Sequence, residues 1–206
     1  SSALARACAA SASALAFALL LGSSGRAGAQ VSGLVRSAST LAPLPGAIVR
    51  VQASAAERPK HVAIRMDDRV LTYAQLDRAA RGVATSLRER GIQPGDRVAL
   101  LIPNVPEFTI AYFGILYAGG TIVPINVLAA APEVAYFLTD SEAKLLIAHP
   151  FFAASAKAGS DEAGVPLALA GGGPGKHTLE TMAEAEPIAA LEATSADATA
   201  VILYTS

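Results

Sequence analysis

The sequence predicts an α/β fold with a mostly parallel, doubly wound sheet flanked by helices. Three observations predict it. Short apolar runs recur at Arg97–Ile102 (RVALLI), Thr121–Ile125 (TIVPI), Ala143–Ala148 (AKLLIA), Pro166–Gly171 (PLALAG) and Thr199–Tyr204. Each run is apolar throughout rather than alternating, which is the pattern of a strand buried on both faces. Helix-like segments with their own caps separate the runs, so right-handed crossovers would wind helices onto both sides of the sheet. Ligands in such sheets sit beyond the carboxyl ends of the strands.

Residues 1–30 combine one early cation, Arg6, an apolar core near LAFALLLG and an Ala27-Gly28-Ala29 triplet before Gln30. These are the parts of a secretory signal peptide. The same residues also read as a disordered or Ala-rich leader. Residues 31–57 stay ambiguous. Gly33–Val35 and Pro43–Val51 resemble the opening strands of a carboxypeptidase-regulatory-like β-sandwich, whereas Ile48–Glu57 reads equally as a linker or the first helix of the next domain.

Residues 58–206 form one α/β unit. Val62–Met66 and Val70–Tyr73 flank Asp67-Asp68 as a hairpin. Thr72 followed by Gln75 is a capping box that opens a helix to Arg90, with Gly91 past its end. Along it Leu76, Ala80, Val83 and Leu87 form one apolar face. Asn104 with Glu107 is expected to cap the next helix, with Pro106 in its first turn. That helix runs to Ala118 and stops at Gly119-Gly120. Helices are expected from Pro132 to Asp140, over Phe151–Lys157 and over Leu179–Glu186.

Composition narrows the function. The chain is 52% hydrophobic and 16% charged, which argues against disorder. A formal net charge of −1, with 5 Tyr, 6 Phe and no Trp, gives neither the field nor the stacking surface expected of a nucleic-acid partner. The single cysteine, Cys8, excludes an intrachain disulfide, and His61, His149 and His177 show no metal-ligand spacing. No Ser-His-Asp set or HExxH helix suggests hydrolysis. The GGGPGKH stretch, Gly171–His177, fails the phosphate-loop pattern: Ala170 stands where the first glycine belongs and His177 follows Lys176. It reads as a surface loop.

Three stretches carry a resemblance. LTYAQL (Leu71–Leu76) is similar to an L-[TS]-Y-x-E-L motif, with Gln75 in place of Glu. LYAGGTIVPIN (Leu116–Asn126) is similar to L-x-A-G-x-x-x-V-P-[IL]. Asp197–Ser206 resembles the strand that feeds a loop reading Y-[ST]-S-G-[ST]-T-G-x-P-K-G, of which Tyr204, Thr205 and Ser206 are present. Pro132–Ile147 is similar to a helix–strand connection of the same proteins. Together these resemble the adenylate-forming (AMP-binding) superfamily, and Asn126 after Val-Pro-Ile resembles its acyl-CoA synthetases. By that resemblance residues 58–206 are the truncated N-terminal part of an adenylate-forming large domain. The implied enzyme is an acid–thiol ligase of fatty acid metabolism. It converts a carboxylic acid and ATP to an acyl-adenylate, then to acyl-CoA, using Mg²⁺ and CoA. An aryl acid is the alternative substrate.

The resemblance implies cofactor binding at Thr205 and Ser206, whose hydroxyl and backbone donors would open the ATP-phosphate loop. The competing reading is an ordinary strand terminus. Within the 206 residues no catalytic residue and no metal ligand is assigned, so the fragment alone is expected to be inactive. LTYAQL and AGGTIVPIN are expected to do mainly structural work, with Asn126 contributing to the wall of the site. The expected partner is a small-molecule carboxylic acid. No membrane span is expected in residues 58–206, which leaves room for peripheral membrane contact. The family implies a cytoplasmic enzyme and the leader implies export. An exported binding module, a fusion of that leader with an adenylating enzyme, and a catalytically dead scaffold therefore stand as alternatives.

Overall fold

A strand that is apolar on both sides needs cover on both sides, and the helices of this chain supply it in two layers. The computed structural model describes residues 31–32, 34–37, 43–44, 48–49, 51–171, 178–192, 194–195 and 197–204. Four short strands come first, β1 (Val31–Ser32), β2 (Leu34–Ser37), β3 (Pro43–Leu44) and β4 (Ile48–Val49), then helix α1 (Val51–Glu57). A hairpin of β5 (Val62–Met66) and β6 (Arg69–Thr72) leads into α2 (Tyr73–Glu89). The chain continues through β7 (Arg97–Leu101), α3 (Pro106–Tyr117), β8 (Thr121–Pro124), α4 (Ala131–Asp140), β9 (Leu145–Ala148), α5 (Ala153–Ala163), β10 (Leu167–Leu169), α6 (Leu179–Glu184) and β11 (Thr199–Leu203).

The main sheet has the order β10-β9-β7-β8-β11-β2-β3. From β10 to β2 every neighbouring pair is parallel, and β3 closes the edge antiparallel to β2. The expected parallel, doubly wound sheet is therefore present. The segment left open by sequence, 31–57, contains the four short strands and α1. Residues 1–30, on which the leader reading rests, lie outside the described residues.

Alternation along the central strands sorts side chains between two cores. Val98, Leu100 and the nearby Ile102 join one core; Ala99 and Leu101 join the other. In β9, Leu145 and Ile147 face the first, Leu146 and Ala148 the second. Helices α2, α3 and α6 cover the first side with Leu76, Val83, Leu87, Phe113, Tyr117 and Met182. Helices α4 and α5 cover the second with Val134, Leu138 and Ala156.

Helix α2 is amphipathic. Leu76, Ala80, Val83 and Leu87 are buried while Gln75 and Arg78 are exposed, as the spacing predicts. Its capping box is formed: the Gln75 N–H donates to Thr72 Oγ1 at 3.3 Å and the Thr72 N–H donates to Gln75 Oε1 at 2.8 Å. Past its end, Gly91 has φ +87°, a conformation that other residues adopt at a cost. Helix α3 is buried along its whole second half, Ala111–Tyr117. An apolar helix of this kind is stable only between other layers.

Asp77 ties three segments together. One carboxylate oxygen accepts from the Tyr117 hydroxyl at 2.9 Å and the other from Arg81 Nε at 2.7 Å. Arg81 also donates to the Ile188 carbonyl at 3.0 Å and lies 5.8 Å from the centre of the Tyr117 ring. Burial, then the adjacent Asp77 charge, pushes the Tyr117 hydroxyl well above its ordinary value, so it stays a donor.

Two local expectations are corrected. Asn104 does not cap α3. Pro106 occupies the first helical position, which makes Val105 the N-cap, and no side chain caps that end. Glu107 turns instead toward Arg69. The helix expected over Phe151–Lys157 begins later and runs longer, because Pro150 first sets a 3₁₀ turn over Pro150–Phe152.

The tightest approach between α2 and α6 gives a test. A Cβ at Gly82 would lie 2.4 Å from the Ala183 carbonyl oxygen, a backbone atom with little freedom to yield. Gly82→Ala gains about 1 kcal/mol of helix propensity but forces overpacking that costs about 1–3 kcal/mol. The expected outcome is net destabilisation, seen as a lower urea midpoint. An unchanged or raised midpoint would show that α6 does not pack this closely.

Candidate functional site

Because the strands from β10 to β11 are parallel, their carboxyl ends share one edge of the sheet. The chain leaves β7 toward α3 on the first face and leaves the adjacent β8 toward α4 on the second. Chains departing to opposite faces from neighbouring strands open a crevice between them. The loops after β7, β8 and β9, with Ala170 and Gly171 after β10 and the end of β11, line this edge.

Beyond β8, Asn126 is engaged in its own turn. Its side-chain oxygen accepts from the Leu128 N–H at 3.0 Å and its carbonyl from the Ala129 N–H at 2.9 Å. The turn sets up α4, where Glu133 accepts from the Ala130 N–H at 2.8 Å. The architectural role expected for this segment is what the geometry displays. Beyond β9, His149 Nδ1 accepts from the Phe151 N–H at 3.2 Å.

Polar contacts cluster where α3 and α6 begin. Arg69 Nη2 donates to Glu107 Oε1 at 2.6 Å and pins the hairpin to the start of α3. Glu107 is 9% exposed, so this contact supplies a charged partner where little water reaches. The guanidinium is held more basic than usual by this hydrogen bond first, against the opposing effect of burial, and then by the charges of Glu107 and Glu180. Glu180 Oε1 accepts from the Gly171 N–H at 2.6 Å, beyond the end of β10, while its Oε2 is buried with no hydrogen-bond partner among the described residues.

Strand β11 is the inner neighbour of β8 and carries the resemblance to a phosphate-loop strand. It pairs with β8 through Val201 opposite Ile122, and Thr121 Oγ1 donates to the Thr199 carbonyl at 2.7 Å. At its end the Tyr204 hydroxyl donates to Asp140 Oδ2 at 2.6 Å. The Tyr204 ring lies 4.7 Å from Phe137 and 6.3 Å from Tyr136, centre to centre. Burial, then the bond to Asp140, raises the Tyr204 hydroxyl well above its ordinary range. Thr205 and Ser206, the expected cofactor-binding residues, lie outside the described residues, as do residues 172–177 of the GGGPGKH stretch.

Sequence reasoning misses three of these contacts: Arg69 with Glu107, Gly171 with Glu180, and Tyr204 with Asp140. None has a local spacing that would reveal it. The one available signal is Tyr204 itself, which belongs to a motif but has no role assigned by it. Among the described residues, no three His, Cys, Asp or Glu side chains group so as to hold a metal ion. Among the same residues no helix is long and apolar enough to cross a membrane.

Comparison with known proteins agrees with this architecture. The family described as AMP-binding enzyme matches residues 51–206. The long-chain-fatty-acid–CoA ligase FadD13 of Mycobacterium tuberculosis is 40% identical over 102 residues, which are 50% of this chain and 20% of that protein. A feruloyl-CoA synthase of Amycolatopsis sp is 41% identical over 92 residues, 45% of this chain and 19% of that one. The matches thus span about a fifth of the length of these curated relatives. Among solved structures, ATP-bound MatB from Rhodopseudomonas palustris aligns with a TM-score of 0.59 at 32% identity, over 69% of this chain and 30% of that chain.

The Arg69–Glu107 pair gives a second test. Arg69→Ala strands a buried carboxylate and is expected to cost about 2 kcal/mol. Adding Glu107→Gln removes the stranded charge, so the double variant should recover part of that loss. Urea unfolding of the single and double variants measures the coupling. Independent, additive losses would show that the pair does not fasten the hairpin.

Proposed function

As the chain belongs to the AMP-binding enzyme family, we propose that it is the N-terminal portion of an ATP-dependent carboxylic acid–CoA ligase acting on a fatty acid. The observation that carries this reading is β11. It ends at the carboxyl edge beside β8, next to the crevice, and the sequence continues from Tyr204 into Thr205-Ser206. In this reading Thr205 and Ser206 begin a turn whose hydroxyl and backbone N–H groups donate to the β- and γ-phosphates of ATP. Such donors, fixed before the reaction, hold the triphosphate while a substrate carboxylate attacks the α-phosphate. Pyrophosphate leaves, and the thiol of CoA then takes the acyl group from AMP.

Each part of the proposal has its own support. ATP is supported by the family and by the likeness to a structure with ATP bound. The fatty acid is supported by the similarity to FadD13, and an aryl acid by the similarity to feruloyl-CoA synthase. Mg²⁺ belongs to the implied reaction, and the described residues group no ligand set for it. ATP and CoA as co-substrates fit a cytoplasmic site of action. The resemblance puts the rest of the phosphate loop and the later motifs after residue 206, so the 206-residue chain is proposed to be inactive by itself.

Acid-dependent ATP–pyrophosphate exchange tests this. The chain of residues 1–206 is expected to give background exchange only. The protein extended by whatever its gene encodes after Ser206 should exchange with medium- and long-chain fatty acids better than with ferulate or benzoate. Preference for the aromatic acids would move the substrate to the aryl class. Exchange by residues 1–206 that is abolished by Ser206→Ala would overturn the inactivity.

A further inference from the structure

The last described residue at the exit of β11 is held more firmly than a strand end requires. The Tyr204 side chain runs along the second face of the sheet, not toward the crevice. It closes on α4 in two ways, through the 2.6 Å hydrogen bond to Asp140 and through ring contacts with Phe137 and Tyr136. Ile202 and Tyr204 both pack against the second core, whereas Leu203 packs against the first. From Val201 onward the side chains thus alternate between the two cores, one residue past the end of the strand. Asp140 is the last residue of α4 and sits on its exposed side. The hydroxyl bond thus adds an anchor at the tip of the side chain to the contacts of its ring.

We propose that Tyr204 is a positioning residue for the nucleotide site: its bond to Asp140 and its ring contact with Phe137 set the direction in which the chain leaves β11 toward Thr205 and Ser206. This inference rests on the proposed ATP-dependent ligase reading. Tyr204 itself does not touch the nucleotide. It acts by fixing the backbone from which the phosphate donors hang, and a small displacement there weakens every contact they make.

The test uses the protein extended by its gene's own residues after Ser206, assayed by ATP–pyrophosphate exchange. Tyr204→Phe keeps the ring and loses the hydroxyl. It is expected to raise KM for ATP about fivefold, the scale of one lost hydrogen bond, with KM for the acid unchanged. Asp140→Ala should reproduce that change, and Tyr204→Phe combined with Asp140→Ala should be no worse than either alone. Asp140→Asn, which retains an acceptor oxygen, should restore KM for ATP to within about twofold of the parent. A purely structural contact would instead lower the active fraction, and so kcat, at unchanged KM. If Tyr204→Phe does not fold, Asp140→Ala against Asp140→Asn decides the matter from an exposed position. A parent protein that exchanges, with variants that keep its KM for ATP, overturns this inference alone. A parent that exchanges with no acid overturns the ligase reading, and this inference with it.

Discussion

Everything else in the structure depends on covering a parallel sheet from both sides. Strand β7 shows why. Val98 and Leu100 need one apolar layer while Ala99 and Leu101 need another, and all four are fully buried. One set of helices could satisfy only half of that strand. The crossover through α3 therefore packs on one face and those through α4 and α5 on the other. This division has a functional consequence. The same reversal that spreads helices over both faces parts the loops at the carboxyl edge, so the candidate site is a by-product of solving the burial problem.

The fold was legible because burial is written into short windows. Continuous apolar runs, the spacing of Leu76, Ala80, Val83 and Leu87, and the Thr72–Gln75 box are each local patterns with one good structural solution. The misreadings also have local causes. Asn104 looks like a cap by residue type, but Pro106 fixes the first helical position and leaves Val105 as the boundary residue. Pro150 likewise tightens the entrance to α5 and moves its start. In both cases a proline's geometry outweighs propensity.

The candidate site was legible only as a place. The strand order of the sheet follows from pairing between distant segments, so the contacts at its edge join residues that share no window. Arg69 and Glu107 are 38 positions apart, and Tyr204 and Asp140 are 64 apart. Side-chain chemistry alone could not pair them. The resemblance to adenylate-forming enzymes pointed to the end of β11, which spacing alone did not. It could not supply the neighbours of that strand, which depend on where α4 comes to rest.

The two layers differ in what they contribute. The first, with α2 and α3, is internally secured by the contacts of half-buried Asp77 and Arg81 with buried Tyr117, and it reaches the edge through Arg69 and Glu107. The second, with α4, meets the edge through Tyr204. Strand β11 is therefore held within the sheet between β8 and β2, with Thr121 bonded to the Thr199 carbonyl, and its exit is held on the second face by α4 through Tyr204. A phosphate-binding turn needs this arrangement. Its glycines are chosen for backbone freedom, so precision has to be imposed from the strand before it. Under the proposed ligase reading, the residues that matter most after the phosphate donors are those that hold the end of β11 still.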